Sequence, residues 1–440
     1  MPDQTPDEIL TTTGNKLNVL LIGGGGREHA LARAISRSER LDTLFTTDPS
    51  NPGLASLARA VDVPVSAREI YRLQQFCDKN RVGLVVIGPE DPLSQGFADK
   101  LAAPGRAVFG PRQNAAMIES DKAWSKQLMR SASIPTAEGR VFSDFEHART
   151  YVSTREEPPV IKAAGLAKGK GVIVPATIQE ALEALERIMR RREFGDAGRQ
   201  VVVEERLEGR EVSVLALVDG HSILVLPPCQ DHKRLRDRDE GPNTGGMGAF
   251  CPSGSIDDAT MAQIESEILV PTVDALRRED IEYRGVLYAG LMLTPAGPKV
   301  LEFNARFGDP ECQCLMARLE SDAIELLLAT CQGRLADVDV RWSADQAVCV
   351  VLAAPGYPDT PKKNVVITGL DAAAKQPHAH VLHAGTARNA EGAIVTAGGR
   401  VLNVVATGPD LKAAASRAYA AADLIKFDGK QMRRDIGVAL

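Results

Sequence analysis

The chain has 440 residues, 44% hydrophobic, 25% charged and only 4% aromatic, with a net charge of −6. At roughly 100–200 residues per domain, this length needs two to four cores. The composition excludes a disordered or collagen-like chain. Net acidity without a dominant basic block argues against nucleic acid as a partner. No apolar run reaches the roughly 18 residues of a membrane span, so no membrane partner is expected. The seven cysteines are scattered, with no C-x-x-C pair, which predicts reduced thiols and a cytoplasmic location rather than a disulfide frame or structural zinc.

Residues 1–16 form a polar tail. A buried strand is predicted over 18–22, followed by the glycines Gly23 to Gly26 and a helix. Further strands near 47 and over 83–88 alternate with amphipathic helices, which predicts a parallel, doubly wound sheet over 17–120. The glycine loop before a helix is a candidate phosphate cradle. A dinucleotide fingerprint would need a third glycine where Glu28 stands, although Asp48 sits where a ribose-binding acid could be. An NAD-dependent oxidoreductase is therefore a competing expectation from a different enzyme class.

Over 121–205 a helix precedes a strand containing Lys162, then a loop with Gly165, Lys168, Gly169, Lys170 and Gly171. It lacks the G-x-x-x-x-G-K-[ST] pattern of P-loop proteins. A glycine loop with flanking ammonium groups suits a flap over a triphosphate, and the unit reads as a small lid. Over 206–332 further strands surround a long loop over 230–248. That loop carries Asp231, His232, Lys233, Arg234, Asn243, Gly245 and Gly246, with enough donors to close on a phosphorylated substrate, or simply to face solvent. A linker is expected at 333–346 and a C-terminal domain at 347–440.

The sharpest segment is 299–309. Alternate residues of a strand share a face, so Leu301, Phe303, Ala305 and Phe307 are expected in the core, with Glu302, Asn304 and Arg306 opposite. A carboxylate, an amide oxygen and a guanidinium in one row suit a divalent cation and an anionic group.

Lys122, Lys162 with its glycine loop, residues 204–207 and Glu302-x-Asn304 together resemble an ATP-grasp ligase. Seven flanking motifs in order (GGGGREHALA, SNPG, GPEDPLSQG, QDHKR, GPNTGGMGA, LYAGLM, EFNARFGDPE) resemble the glycinamide ribonucleotide synthetase family from about residue 17 to the end. The resemblance implies a multidomain α/β ATP-grasp ligase with an N-terminal parallel α/β domain, a small lid, a central mixed-sheet lobe and a C-terminal domain. It implies ATP-dependent joining of glycine to 5-phosphoribosylamine through glycyl phosphate, in a monomer or weak dimer without further fused purine enzymes.

By the same resemblance, Glu302 and Asn304 would hold Mg2+ or Mn2+. Lys122 and Lys162 would hold the ATP phosphates, with Gly165, Lys170, Gly171 and Glu204 also at the ATP site; the backbone from Glu205 to Leu207 would read the adenine edge, and Glu211 the ribose. Gly24, Gly25, Gly26, Glu90, Asp231, His232, Lys233, Arg234, Asn243, Gly245, Gly246 and Arg306 would take the substrates. Arg306, Lys162 and Asp231 are the catalytic candidates, Asp231 as base. The chain departs from the family at Ala164, Lys168, Asp121 and Gly290; many ATP-grasp relatives carry a second metal carboxylate at the position of Gly290. Ala164 leaves room for a non-catalytic ATP-binding regulator, and the shared fold leaves room for a ligase joining a different acid and amine.

Overall fold

A computed structural model describes residues 16–167 and 169–438; most of the polar tail and Lys168 lie outside the described residues. Five strands, β1 (Leu17–Ile22), β2 (Leu41–Thr46), β3 (Arg59–Ala60), β4 (Val82–Ile87) and β5 (Ala107–Phe109), form a parallel sheet in the order β3-β2-β1-β4-β5. Strand β4 is buried along its whole length because helices cover both faces of the sheet. The glycine loop leaves the end of β1 and enters the helix Gly26–Ile35.

The next sheet is antiparallel. It contains β6 (Gly139–Phe142), β7 (Val160–Ala163), β8 (Val172–Ile173) and β9 (Val201–Glu204), in the order β6-β9-β7-β8. Its own small core, including Ala148, Ile161, Ala181, Leu185 and Val203, packs two helices on one face.

Beyond it run β10 (Arg210–Asp219), β11 (Ile223–Val225), β12 (Gln230–Asp231), β13 (Arg234–Arg236), β14 (Glu240–Asn243), β15 (Gly248–Cys251), β16 (Arg284–Thr294) and β17 (Gly297–Asn304). Strands β11-β10-β16-β17 make the central antiparallel sheet. The segment 230–248, expected as a loop, is largely paired backbone: β13 and β14 form a ribbon, and β12 and β15 leave the central sheet entirely.

They join β18 (Gln346–Ala353), β19 (Ala379–His383) and β22 (Arg400–Gly408) in a sheet ordered β12-β15-β18-β22-β19; a separate ribbon holds β20 (Thr386–Arg388) and β21 (Ile394–Thr396). Main-chain pairing of β15 with β18 therefore welds the C-terminal strands to the central part of the chain. Within the stretch 333–346 Leu335 is buried, and its N–H donates to Asp219 Oδ2 at 2.9 Å.

Candidate functional site

The row of side chains on 299–309 forms with one correction. Gly290 faces Glu302 across β16 and β17, but Leu291 faces Val300, which leaves Leu301 as an extra residue in a bulge. Val300 takes the core position expected for Leu301, while Phe303, Ala305 and Phe307 are buried as expected. Glu302, Asn304 and Arg306 share the other face. The bulge also turns the Leu301 carbonyl toward the lid, where it accepts a 2.9 Å hydrogen bond from Lys162 Nζ.

Lys162 is 6% exposed, and its ammonium pairs with Glu204 Oε2 at 2.6 Å. The other carboxylate oxygen of Glu204 pairs with Lys126 at 2.8 Å. Lys126 is a residue that sequence reading missed. It lies one helical turn beyond Lys122, and the spacing was the available signal. It also donates to Thr136 Oγ1 and the Ala137 carbonyl. Glu204 thus sits between two lysines. Lys122 reaches the Gly165 carbonyl at 3.4 Å, and burial pushes its ammonium below the usual range against the pull of Glu302.

Lys122, Lys162, Glu204 and Glu302 line one cleft with Leu301 and Phe303. Burial alone would raise the Glu302 carboxyl, but Lys233, Lys122, Lys162 and Arg306 hold it below its ordinary value. Among the described residues this carboxylate makes no direct hydrogen bond or ion pair. An ionised, unclaimed carboxylate beside the Asn304 amide fits a hard divalent cation. Gly290 brings no second acid to its register partner Glu302.

Arg306 is engaged by the protein's own carboxylates. Nε reaches Glu90 at 3.3 Å, and Nη2 reaches Glu119 at 2.8 Å and the Asn304 amide oxygen at 3.3 Å. Nη1 makes only a 3.4 Å contact with the Phe307 carbonyl, so it is the least committed donor. Burial raises Glu90, but Arg306 and Arg27 more than offset this and bring it down to about 2. Glu119 also accepts the Ala305 N–H at 2.8 Å, which ties the short helix Met117–Ser120, just before the Lys122 helix, to the end of the row. Burial pushes the Glu119 carboxyl up, with Arg306 opposing.

The glycine loop approaches this row from the N-terminal sheet. Glu28, which breaks the dinucleotide pattern, folds over the loop: Oε2 accepts the Gly25 N–H at 2.6 Å and Oε1 pairs with Arg27 at 2.7 Å. Gly24 is packed against Asp48, and Gly26 against the buried amides of Asn403 and Gln313. A side chain at either position would collide with them.

Residues 231–246 cover the other side. The Asp231 carboxyl accepts a 3.3 Å contact from Ser213 Oγ, and burial, reinforced by Glu311 and Glu211, pushes it up to about 7. Ser213 belongs to a buried network in which Tyr288 donates to Glu311 Oε1 at 2.5 Å. Lys233 is paired with Glu211 at 3.0 Å. The His232 backbone is held within the sheet, and burial lowers its ring to about 4, a neutral imidazole at physiological pH. The Arg234 side chain caps the Gly241 carbonyl, and Arg234 is opposite Asn243 in the ribbon. Arg400 donates to the Gly245 carbonyl at 2.6 Å and pairs with Asp309 at 3.1 Å; Tyr357 accepts the Gly245 N–H. Gly246 has φ +112, a conformation that glycine supplies at least cost. Arg400 and Asp309 were not singled out from sequence, and Arg400 offers no local signal, since it comes from a strand far along the chain.

After β9 the chain passes through residues 205–208 without regular structure. The Glu205 N–H is used by the Glu138 carbonyl at 2.7 Å. Among the described residues, the Glu205 carbonyl and the Leu207 N–H have no partner. One acceptor and one donor two residues apart on this irregular backbone match the edge of a purine base.

Residues 120–312 match the family model of the phosphoribosylglycinamide synthetase ATP-grasp (A) domain, which makes this an ATP-grasp protein. The biotin carboxylase domain of Hydrogenobacter thermophilus 2-oxoglutarate carboxylase, 16% identical with a TM-score of 0.72 over 96% of this chain and 92% of that one, shares the fold. The N and C domains of the same synthetase match residues 17–119 and 347–439. A phosphoribosylamine–glycine ligase of Rhodopirellula baltica is 48% identical over 96% of this chain and 97% of its own. The crystal structure of phosphoribosylamine–glycine ligase from Thermotoga maritima is 34% identical, with a TM-score of 0.82, and covers 95% of this chain and 100% of that one. The chain belongs to the phosphoribosylglycinamide synthetase family.

Proposed function

We propose that the protein joins glycine to 5-phosphoribosylamine in an ATP-dependent, ADP-forming ligation within purine synthesis. The observation that carries this reading is the Glu302 carboxylate, ionised and unclaimed among Lys122, Lys162, Lys233 and Arg306. Lys122 and Lys162 would hold ATP phosphates, with Gly165, Lys170 and Gly171 as the flap above them. The Glu205 carbonyl and Leu207 N–H would read the adenine edge, and Glu211 would reach the ribose after releasing Lys233. Glu302 and Asn304 would hold magnesium, or manganese in its place. Such an ion supplies charge neutralisation at phosphate oxygens.

A glycine carboxylate oxygen attacks the γ-phosphorus, forming glycyl phosphate and releasing ADP. Positioning and charge carry most of this step, and Lys162 and Arg306 supply both. The amine of phosphoribosylamine then attacks the glycyl carbonyl carbon, and inorganic phosphate leaves. The ammonium formed in that attack loses a proton, and Asp231, with a pKa of about 7, is suited to accept it. Gly24 to Gly26, Glu90, His232 to Arg234, Asn243, Gly245 and Gly246 would form the walls for phosphoribosylamine, with Nη1 of Arg306 available for an anionic group. The seven free thiols support a reducing cytoplasmic setting, and the partners are small molecules acting on a monomer or weak dimer.

The test is ADP release with each substrate omitted in turn. ADP formation that needs both glycine and freshly generated phosphoribosylamine is expected. ADP release indifferent to glycine, or tight NAD binding without ATP binding, overturns the reading.

A further inference from the structure

A second cavity, of about 210 Å3, lies between the helix Gly26–Ile35, the helix Glu311–Arg318 and strands β19 and β22. Its walls include Leu57, Leu382 and Val405, and its polar groups are Arg33, Ser36, Arg37, His380 and Gln313. None of these has a role in the ligation described above.

Two features point to a ligand. Arg33 and Arg37 lie one turn apart and have no carboxylate partner among the described residues. Arg33 Nη2 is 3.2 Å from His380 Nδ1, and Arg37 reaches only main-chain carbonyls, that of Met316 at 3.2 Å. An arginine donates only, so His380 Nδ1 must accept, and the ring is neutral. The two guanidiniums are therefore an uncompensated pair of positive charges at a largely apolar cavity. Gln313 is 1% exposed; its Nε2 donates to Asp309 Oδ1 at 2.6 Å, and its Oε1 is buried without a partner. An orphaned acceptor in such a place is unfavourable until a donor arrives.

We propose that this cavity is a second ligand site, for a phosphate monoester carrying a flat ring with an N–H donor, the chemistry of a purine nucleoside monophosphate. The phosphate lies between Arg33 and Arg37, where guanidinium geometry suits it. The ring lies against Leu57, Leu382 and Val405 and gives its N–H to Gln313 Oε1. Because Gln313 also holds Asp309, which pairs with Arg400, the occupant touches a residue that supports the synthetase site without entering it.

The experiment is calorimetric titration of the full chain with AMP, with the ATP cleft saturated by ADP and magnesium. One AMP per chain is expected, with adenosine and inorganic phosphate each at least tenfold weaker. In Arg33→Ala/Arg37→Ala the AMP affinity is expected to fall at least tenfold, with kcat and KM for ATP unchanged. The exposed Arg37→Ala change alone, which leaves the core untouched, is expected to weaken AMP in the same direction. Absence of AMP binding, AMP binding unaffected by the arginine variants, or phosphate binding as tightly as AMP overturns the proposal. The readout is binding, so failure of the ligase reading would appear separately, as loss of substrate-dependent ADP release.

Discussion

Lys162 and Glu204 form a 2.6 Å ion pair in which the side chains are only 8% and 4% exposed. Glu204 holds Lys126 as well, so one carboxylate fixes two ammonium groups at the floor of the cleft. Removing one partner from a buried pair strands the other charge and costs about 3–5 kcal/mol. Glu204→Leu is expected to lose stability on that scale in urea denaturation, and Lys126→Met less, because Glu204 keeps Lys162. A Glu204→Leu protein as stable as the parent would show that the three groups are not coupled.

Glu302→Ala removes the one unclaimed carboxylate of the row. ADP formation is expected to fall by roughly a hundredfold or more, the scale of losing one electrostatic stabiliser of a transition state. Circular dichroism and the melting temperature should stay near the parent's, since the carboxylate makes no direct hydrogen bond or ion pair among the described residues. Full activity in this variant removes Glu302 from the metal role.

Asp231 gives a pH signature. Its carboxyl, raised mainly by burial to about 7, must be ionised to accept a proton, so kcat/KM for phosphoribosylamine is expected to rise with pH through about 7. Asp231→Asn should lower the plateau and abolish that limb. The stability effect has the opposite sense. An unfolded aspartate titrates near 3.9, so the folded chain holds the extra proton and this group's contribution declines as pH rises from about 4 to 7. Replacement by Asn should flatten the stability profile in that window.

Gly26 opens the helix beneath the glycine loop, and a Cβ there would meet Asn403 Nδ2 at 2.1 Å and Gln313 Nε2 at 2.9 Å. Both amides are 1% exposed and cannot swing into solvent. Gly26→Ala is expected to cost about 1–3 kcal/mol by overpacking. Combining it with Asn403→Ala should recover much of that loss in a double-mutant cycle. Simple additivity of the two changes would show that the contact is not the cause.

Local patterning was enough to read the parallel unit after residue 16, the lid strand with Lys162, and the shared facing of Glu302, Asn304 and Arg306. Each of these rests on short-range periodicity or glycine placement, which the backbone enforces within a few residues. Even there, the bulge at Leu301 escaped, because it is set by pairing with β16 rather than by alternation along β17. The segment 230–248 was misread as a loop because the strand that pairs with β15 lies far along the chain, in β18. It took the folded chain to bring Arg306 to Glu90, 216 positions earlier, to set Glu204 between two lysines, and to hold Asp309 with Arg400. Those pairings follow from burial: desolvated charges must find opposite charges wherever folding brings them, and no local pattern records the distance between them.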